Sequence, residues 1–205
     1  MKAGNPSLTL HNRQRARRLD LAFTRRITTT LLRGLMGLND FDLGLSLVGT
    51  AEMARLNQTF LHQAGPTDVL SFDYLEKPGP PGRPGPGCAA DSSASLQPER
   101  RVYAAGRNAP ACAAQASAAL HGEIVICVDE ALAQARRFRT PWQSELARYL
   151  VHGILHLRGF DDRRPAQRRK MKRAEDRFLR QLACRFDLRR LSRGPNPRRE
   201  VSKSR

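Results

Sequence analysis

A small α+β fold, with a four-stranded mixed sheet packed against about five helices, is the architecture expected of this chain. Three observations lead there. Short runs at Ser7–His11, Leu43–Val48, Thr67–Tyr74 and His121–Val128 have the composition and alternation of strands. Five other stretches repeat apolar residues every three or four positions, as helices do. The resulting order, βαβαββααα, suits one sheet layered with helices.

Taken in order, SLTLH at Ser7–His11 alternates and is followed by a basic connector to Arg18. Asp20 is placed to cap a helix reaching about Met36, with Phe23, Ile27, Leu31 and Leu35 as its apolar stripe. After a turn at Gly37–Asp42 comes the strand LGLSLV. Thr50 is then expected to cap a short helix to about Phe60, with Met53, Leu56 and Phe60 inward. Gly65-Pro66 closes that unit, and a Thr67-Asp68 pair, a combination suited to turns, leads into the third strand. Residues 75–120 begin with a Pro/Gly-rich run and continue rich in Ala and Ser. They have little to bury, so a disordered insertion is expected, tolerated because loop closure entropy grows slowly with length.

The fourth strand, HGEIVICV, leads to a helix capped by Asp129 and running to Phe138. Thr140 is expected to cap the next helix, with Pro141 at its first position. That helix runs to about Leu157, and its inward stripe is Leu146, Leu150 and Ile154, widened by Val151, Leu155 and Leu157. Pro165 starts a last helix to about Ala183, with Met171, Ala174, Phe178 and Leu182 inside and a basic outer face. One domain over 1–188 follows, with a disordered basic tail at 189–205.

The formal charge is +17 over 205 residues. Residues 163–205 hold 17 Lys/Arg against 4 Asp/Glu. A field of that sign attracts polyanions, and RNA is the cytoplasmic candidate. No run of 18 apolar residues is present, so no transmembrane helix and no membrane partner are expected. The first residues lack an apolar secretory core. Four cysteines, Cys88, Cys112, Cys127 and Cys184, show no CxxC spacing, which fits a reduced, cytoplasmic setting. Cys127 reads as a small core residue. His11, His62 and His121 read as surface or turn residues.

The chemistry concentrates at Val151–Pro165, VHGILHLRGFDDRRP. His152 and His156 are four residues apart and share a helix face, so two imidazoles can meet one metal ion. They fall on the far side of the helix from the apolar stripe, in line with Glu145 and near Tyr149. Gly159 can end the helix in the left-handed conformation, and the chain then returns a carboxylate. Asp162 is the candidate third ligand, with Asp161 its neighbour. Two imidazoles and a carboxylate suit Zn²⁺ with a fourth position for water. Zinc peptidases with HExxH carry a glutamate after the first histidine; here Gly153 stands there, which argues against peptide hydrolysis. A general base must come from elsewhere, with Asp161, Glu145 and Glu123 the carboxylates to consider.

HGILHLRGFDD resembles the HGxLHLxGyxH signature of the bacterial YbeY family of zinc-dependent endoribonucleases, which take part in ribosomal RNA maturation. HNRQR near the start, LNQTFLHQAGPTDVLSFDY, HGEIVIC, and the Met171–Leu179 segment with Glu175-Asp176 also resemble family segments, in the same order. The resemblance implies zinc on His152, His156 and the residue ten after His152. That residue is Asp162 here, where the family usually has a third histidine. A carboxylate makes the site one charge more negative, so its water should be less acidified and harder ions such as Mn²⁺ become competitive. The family also usually carries an arginine where Leu61 stands, with His62 beside it.

What the resemblance implies is a single-strand-specific, metal-dependent endoribonuclease acting on ribosomal RNA and ribosomal subunits, with DNA not expected as a partner. Basic side chains at His62, Arg168, Arg169, Lys172 and Arg173 are the candidate contacts to the RNA backbone. The other expectation is a non-catalytic RNA-binding assembly factor with a structural metal, of which Asp162 and Leu61 would be the signs.

Overall fold

The computed structural model describes residues 6–74, 101–104 and 119–192. The first strand, β1, is Ser7–Asn12. Helix α1 spans Leu21–Thr29, and Asp20 caps it as expected, its side chain accepting from the Phe23 amide at 2.9 Å. The helix does not run on uniformly to Met36: Thr30–Leu35 widens into a π-helical turn. Phe23, Ile27 and Leu31 are buried as the stripe required, and the wider turn also buries Leu32.

Strand β2 is Asp40–Val48, three residues longer at its start than the apolar run. Helix α2, Thr50–Leu61, has Gly49 rather than Thr50 at its cap. Thr50 is instead the first helical residue, and its amide and hydroxyl both donate to Asp129 Oδ2, at 2.8 and 3.0 Å. Asp129 therefore caps α2 from across the molecule and not its own helix, an anion at a helix N-terminus where the unpaired amides favour it. Strand β3 is Val69–Asp73. Ahead of it, Asp68 Oδ1 accepts from Thr67 Oγ1 at 3.1 Å and from the Val69 amide at 2.9 Å, so this pair is a turn device.

A strand not expected from the sequence, β4 at Arg101–Ala104, lies inside the stretch read as a disordered insertion. It pairs antiparallel with β3 and supplies backbone groups that its composition did not advertise. The rest of that stretch up to residue 118, with Cys88 and Cys112, lies outside the described residues. Strand β5, Ala119–Cys127, starts two residues early. Helix α3 is Val128–Phe138, α4 is Trp142–Leu157 and α5 is Pro165–Arg185. Thr140 is not the cap of α4; Pro141 is, and Thr140 Oγ1 donates to Glu145 Oε1 at 2.8 Å in the first turn. Residues 189–192, assigned to a disordered tail, instead belong to the fold. A 3-10 turn at Leu188–Leu191 buries Leu191, whose carbonyl accepts from the Asp20 amide at 3.0 Å. The tail beyond residue 192 lies outside the described residues.

The sheet order is β1-β2-β5-β3-β4. β1, β2 and β5 run parallel, while β3 is antiparallel to β5 and to β4, so the sheet is mixed as expected, with the four expected strands and the added β4. The alternation of β2 and β5 sorts their residues onto two faces. Leu43, Leu45, Leu47, Ile124 and Ile126 join the larger core with α1, α4 and α5. Val48, Val125 and Cys127 turn the other way and meet Met53, Leu70 and Phe72 beneath α2. Each fully buried Leu, Ile or Met removes apolar area worth about 1.5–3 kcal/mol.

Helix α4 is the centre of the larger core. Leu146, Leu150, Val151, Ile154 and Leu155 are all buried. Two glycines bring it close to the sheet. A Cβ at Gly153 would stand 2.8 Å from Ile124 Cγ2 and 3.2 Å from Ser71 Oγ. A Cβ at Gly122 would run into the Phe72 carbonyl and meet a Leu157 methyl at 3.0 Å. Gly153 is therefore a packing requirement, and no glutamate fits at that position.

Candidate metal centre

The two histidines lie on the last two turns of α4, one residue pair on one face. Their Nε2 atoms are 3.0 Å apart and their rings meet nearly edge to face, at 80°. His152 Nδ1 is 3.1 Å from Glu175 Oε2. His156 Nδ1 is 3.1 Å from the Phe160 carbonyl oxygen. A carboxylate and a carbonyl only accept, so both Nδ1 atoms carry the hydrogen and both Nε2 atoms present lone pairs. Two lone pairs at 3.0 Å repel unless a cation lies between them.

A proton on His156 is a poor candidate for that cation. His156 is 4% exposed, and burial, then the neighbouring His152, hold its pKa down at about 4. Neutral imidazoles suit a metal ion instead, whose tetrahedral nitrogens at zinc bond lengths would sit about 3.3 Å apart. Asp162 completes the set: one nitrogen from each histidine and one carboxylate oxygen all lie within 4.8 Å of one another. The donor set, its partners and its burial fit a metal ion of the zinc type, and equally a harder divalent ion.

The loop that delivers Asp162 follows from Gly159, whose φ is +80°. The Gly159 amide donates to the His156 carbonyl at 2.8 Å and the Phe160 amide to the Leu155 carbonyl at 3.0 Å, the paired bonds of a Schellman ending. One turn thus closes the helix, aims the Phe160 carbonyl back at His156 and sends the chain toward Asp162. Arg168 Nε donates to the Asp162 carbonyl oxygen at 2.9 Å and fixes the loop to the start of α5. Asp161, the alternative ligand, spends Oδ1 on the Arg163 amide at 3.1 Å and stays out of the cluster.

Glu175 is the residue that sequence reading did not single out for the site. It is 5% exposed on the inner face of α5. Its carboxylate accepts from Arg148 Nη1 at 2.6 Å, Lys172 Nζ at 3.0 Å and His152 Nδ1 at 3.1 Å. Burial alone would raise its pKa; the bonds from His152, Lys172 and Arg148 outweigh that and hold it at about 2. The signal was present, because Met171, Glu175, Phe178 and Leu182 form one helical stripe and a carboxylate on an apolar stripe needs partners.

The remaining candidates separate. Glu145 is buried near the start of α4, tied to Thr140 and to Arg148 Nε at 3.4 Å. Glu123 is on the other face of the sheet, bonded to Ser46, and is removed from the general-base candidates. His62 closes α2 in the left-handed conformation, φ +55°, on that same far face. Leu61 packs into the smaller core. Lys172 is held by Glu175 and by Asp176 at 3.3 Å, and Arg168 by the loop carbonyl. Arg169 and Arg173 are exposed on α5. Among the described residues no helix is long and apolar enough to cross a membrane.

Comparison with known proteins bears on this arrangement. Residues 9–183 match the family model described as "Endoribonuclease YbeY". A Chlorobium luteolum protein named endoribonuclease YbeY is 30% identical over 175 residues, covering 85% of this chain and 97% of the relative. Proteins of the same name from Salinibacter ruber and Myxococcus xanthus are 33% and 32% identical, covering 67% and 75% of this chain and 68% and 42% of their own lengths.

Proposed function

The chain belongs to the YbeY family, and we propose that it is a metal-dependent endoribonuclease that cuts single-stranded RNA in the maturation of ribosomal RNA. The observation that carries the metal dependence is the pair of Nε2 lone pairs at 3.0 Å, each fixed by a partner on its Nδ1. His152, His156 and Asp162 would hold the ion. When bound, it would supply a Lewis acid that polarises a phosphoryl oxygen and acidifies water.

The chain's own residues do the rest. Glu175 keeps the Nδ1 proton on His152 and so keeps its Nε2 free to ligate. The Phe160 carbonyl does the same for His156. Carboxylate and carbonyl partners of this kind orient metal-binding imidazoles and raise their basicity. Arg169 and Arg173, exposed on the helix that carries Glu175, are the side chains suited to the RNA backbone, giving affinity without base choice. Zinc or manganese as the ion, ribosomal RNA as the substrate and a cytoplasmic location belong to this reading. A peptidase reading is opposed by Gly153, since the packing against Ile124 leaves no room for the glutamate that HExxH enzymes use.

The test is cleavage of a single-stranded RNA by metal-loaded wild type and by His156→Ala. The wild type should cut and the variant should lose at least about a hundredfold in rate, the scale of one lost electrostatic stabiliser. Equal residual activity in the two would show that the cleavage belongs to a contaminant. Retained RNA binding with no metal-dependent cleavage would favour the assembly-factor alternative, for which Asp162 and Leu61 are the sequence signs.

A further inference from the structure

The face of the sheet opposite α4 carries a cavity of about 260 Å³ between α2 and strands β2, β3 and β5. Its walls include Phe60, Phe72 and Tyr74, and its polar groups include Glu123 and Arg55. Phe60 and Phe72 meet edge to face with centroids 5.0 Å apart, so they form a braced apolar wall. Gly44 makes room for Glu123 on β2: a Cβ there would stand 3.2 Å from Glu123 Cγ.

Glu123 is only partly exposed, and its carboxylate is held by hydroxyls. Oε1 accepts from Ser46 Oγ at 3.0 Å and Oε2 from Tyr74 OH at 3.4 Å. No cation pairs with it among the described residues. Each oxygen retains a further lone-pair direction, so the carboxylate presents two adjacent acceptors to the cavity. Arg55 is exposed at the cavity wall, without an ion pair among the described residues. The other guanidinium there, Arg13, is bound to Glu52 at 2.8 Å.

An aromatic wall, a paired acceptor and a free guanidinium are the parts with which proteins take an unstacked base from single-stranded RNA. We propose that this cavity is a base-binding subsite that selects guanine, resting on the reading of the chain as an RNA-cleaving enzyme. Guanine is the base whose pairing edge sets an imino N–H beside an amino N–H, matching the two acceptors of Glu123. Adenine, cytosine and uracil each put an acceptor next to their donor, which faces a carboxylate oxygen and repels it. The ring lies against Phe60 and Phe72, and Arg55 takes the attached phosphate. Since the cavity and the metal centre are on opposite faces of the sheet, the base bound is not that of the nucleotide cut.

The experiment is titration of the full chain with guanosine, adenosine, cytidine and uridine 5′-monophosphates, followed by the ring-proton NMR signals of Phe60, Phe72 and Tyr74. Guanosine monophosphate should bind at least about tenfold tighter than the others, the discrimination of one bidentate contact. Glu123→Gln, which replaces one acceptor by a donor, should abolish that preference while His156→Ala leaves it intact. Arg55→Glu should weaken all four nucleotides alike. Equal binding of the four bases, or a guanine preference unchanged in Glu123→Gln, would overturn the subsite. So would failure of every nucleotide to bind; if the chain then still cleaves RNA, the subsite alone is lost and the enzyme reading stands. A purified protein partner that occupies the cavity while no nucleotide does would likewise replace the base by a protein ligand.

Discussion

His152 Nδ1 and Glu175 Oε2 stand 3.1 Å apart, and this contact ties helix α4, which carries both histidines, to the basic helix α5. Arg148 reinforces it, reaching Glu175 at 2.6 Å from the same helix as His152. The carboxylate thereby sets the tautomer of His152 while lying outside the His152, His156 and Asp162 cluster that could hold a metal ion.

Glu175→Gln should test that role with little change of shape. The amide oxygen still accepts a hydrogen bond, but the carboxylate charge beside His152 is gone. Metal affinity, measured by competition with a chromophoric chelator, should fall roughly 10–100-fold, the cost typical of losing such a partner. Unchanged affinity would make Glu175 a purely structural link between α4 and α5. Glu175→Asp, which keeps the charge, should recover part of the loss.

The acid limb of stability should be steep in the metal-free protein. His156 is held at about 4 by burial and by His152, below its ordinary 6.5, so the unfolded chain binds its proton first as pH falls. Stability is therefore full above about 6.5 and declines toward 4. Glu175, held at about 2 against an ordinary 4.5, adds a second loss that begins near 4.5 and continues downward. Both signs agree. Urea midpoints at pH 7, 5.5 and 4 should fall in that order, and His156→Gln should flatten the change between 7 and 5.5. A midpoint independent of pH in that window would contradict the buried, neutral His156.

How much of this was legible in the sequence follows from which interactions are local. The histidine spacing, the Gly159 ending and the apolar stripes of α1, α4 and α5 are properties of neighbouring residues, and each reappears in the structure. Caps depart from local expectation where the partner is distant: position suits Asp129 to its own helix, yet its side chain holds Thr50, 79 residues away. Strand β4 was invisible because its stretch is rich in turn-forming and small residues and its support comes from β3. The turn at Leu188–Leu191 was hidden in a basic, polar segment, where one buried leucine and one backbone bond to Asp20 decide the outcome. Glu175 lay within a family-like segment, yet its contact with His152 joins residues 23 apart on different helices.

Gly153→Ala should be costly out of proportion to its size. The added methyl meets Ile124 Cγ2 at 2.8 Å in a fully packed layer, and overpacking of that kind costs about 1–3 kcal/mol. Chemical denaturation of the metal-free protein reads it directly. Ile124→Val in the same chain removes a methyl group from the crowded side chain and should return part of the loss. A neutral Gly153→Ala would mean that α4 can lift from the sheet without penalty.

In the proposed function Asp162, with His152 and His156, makes one metal site. Elemental analysis of the purified chain, with affinity measured by chelator competition, tests it most directly. The wild type should hold about one divalent ion per chain. Asp162→Ala should bind at least about tenfold more weakly while keeping its fold, and the His152→Ala, His156→Ala double variant should hold none. Full occupancy and unchanged affinity in Asp162→Ala would contradict the account, placing the third ligand elsewhere.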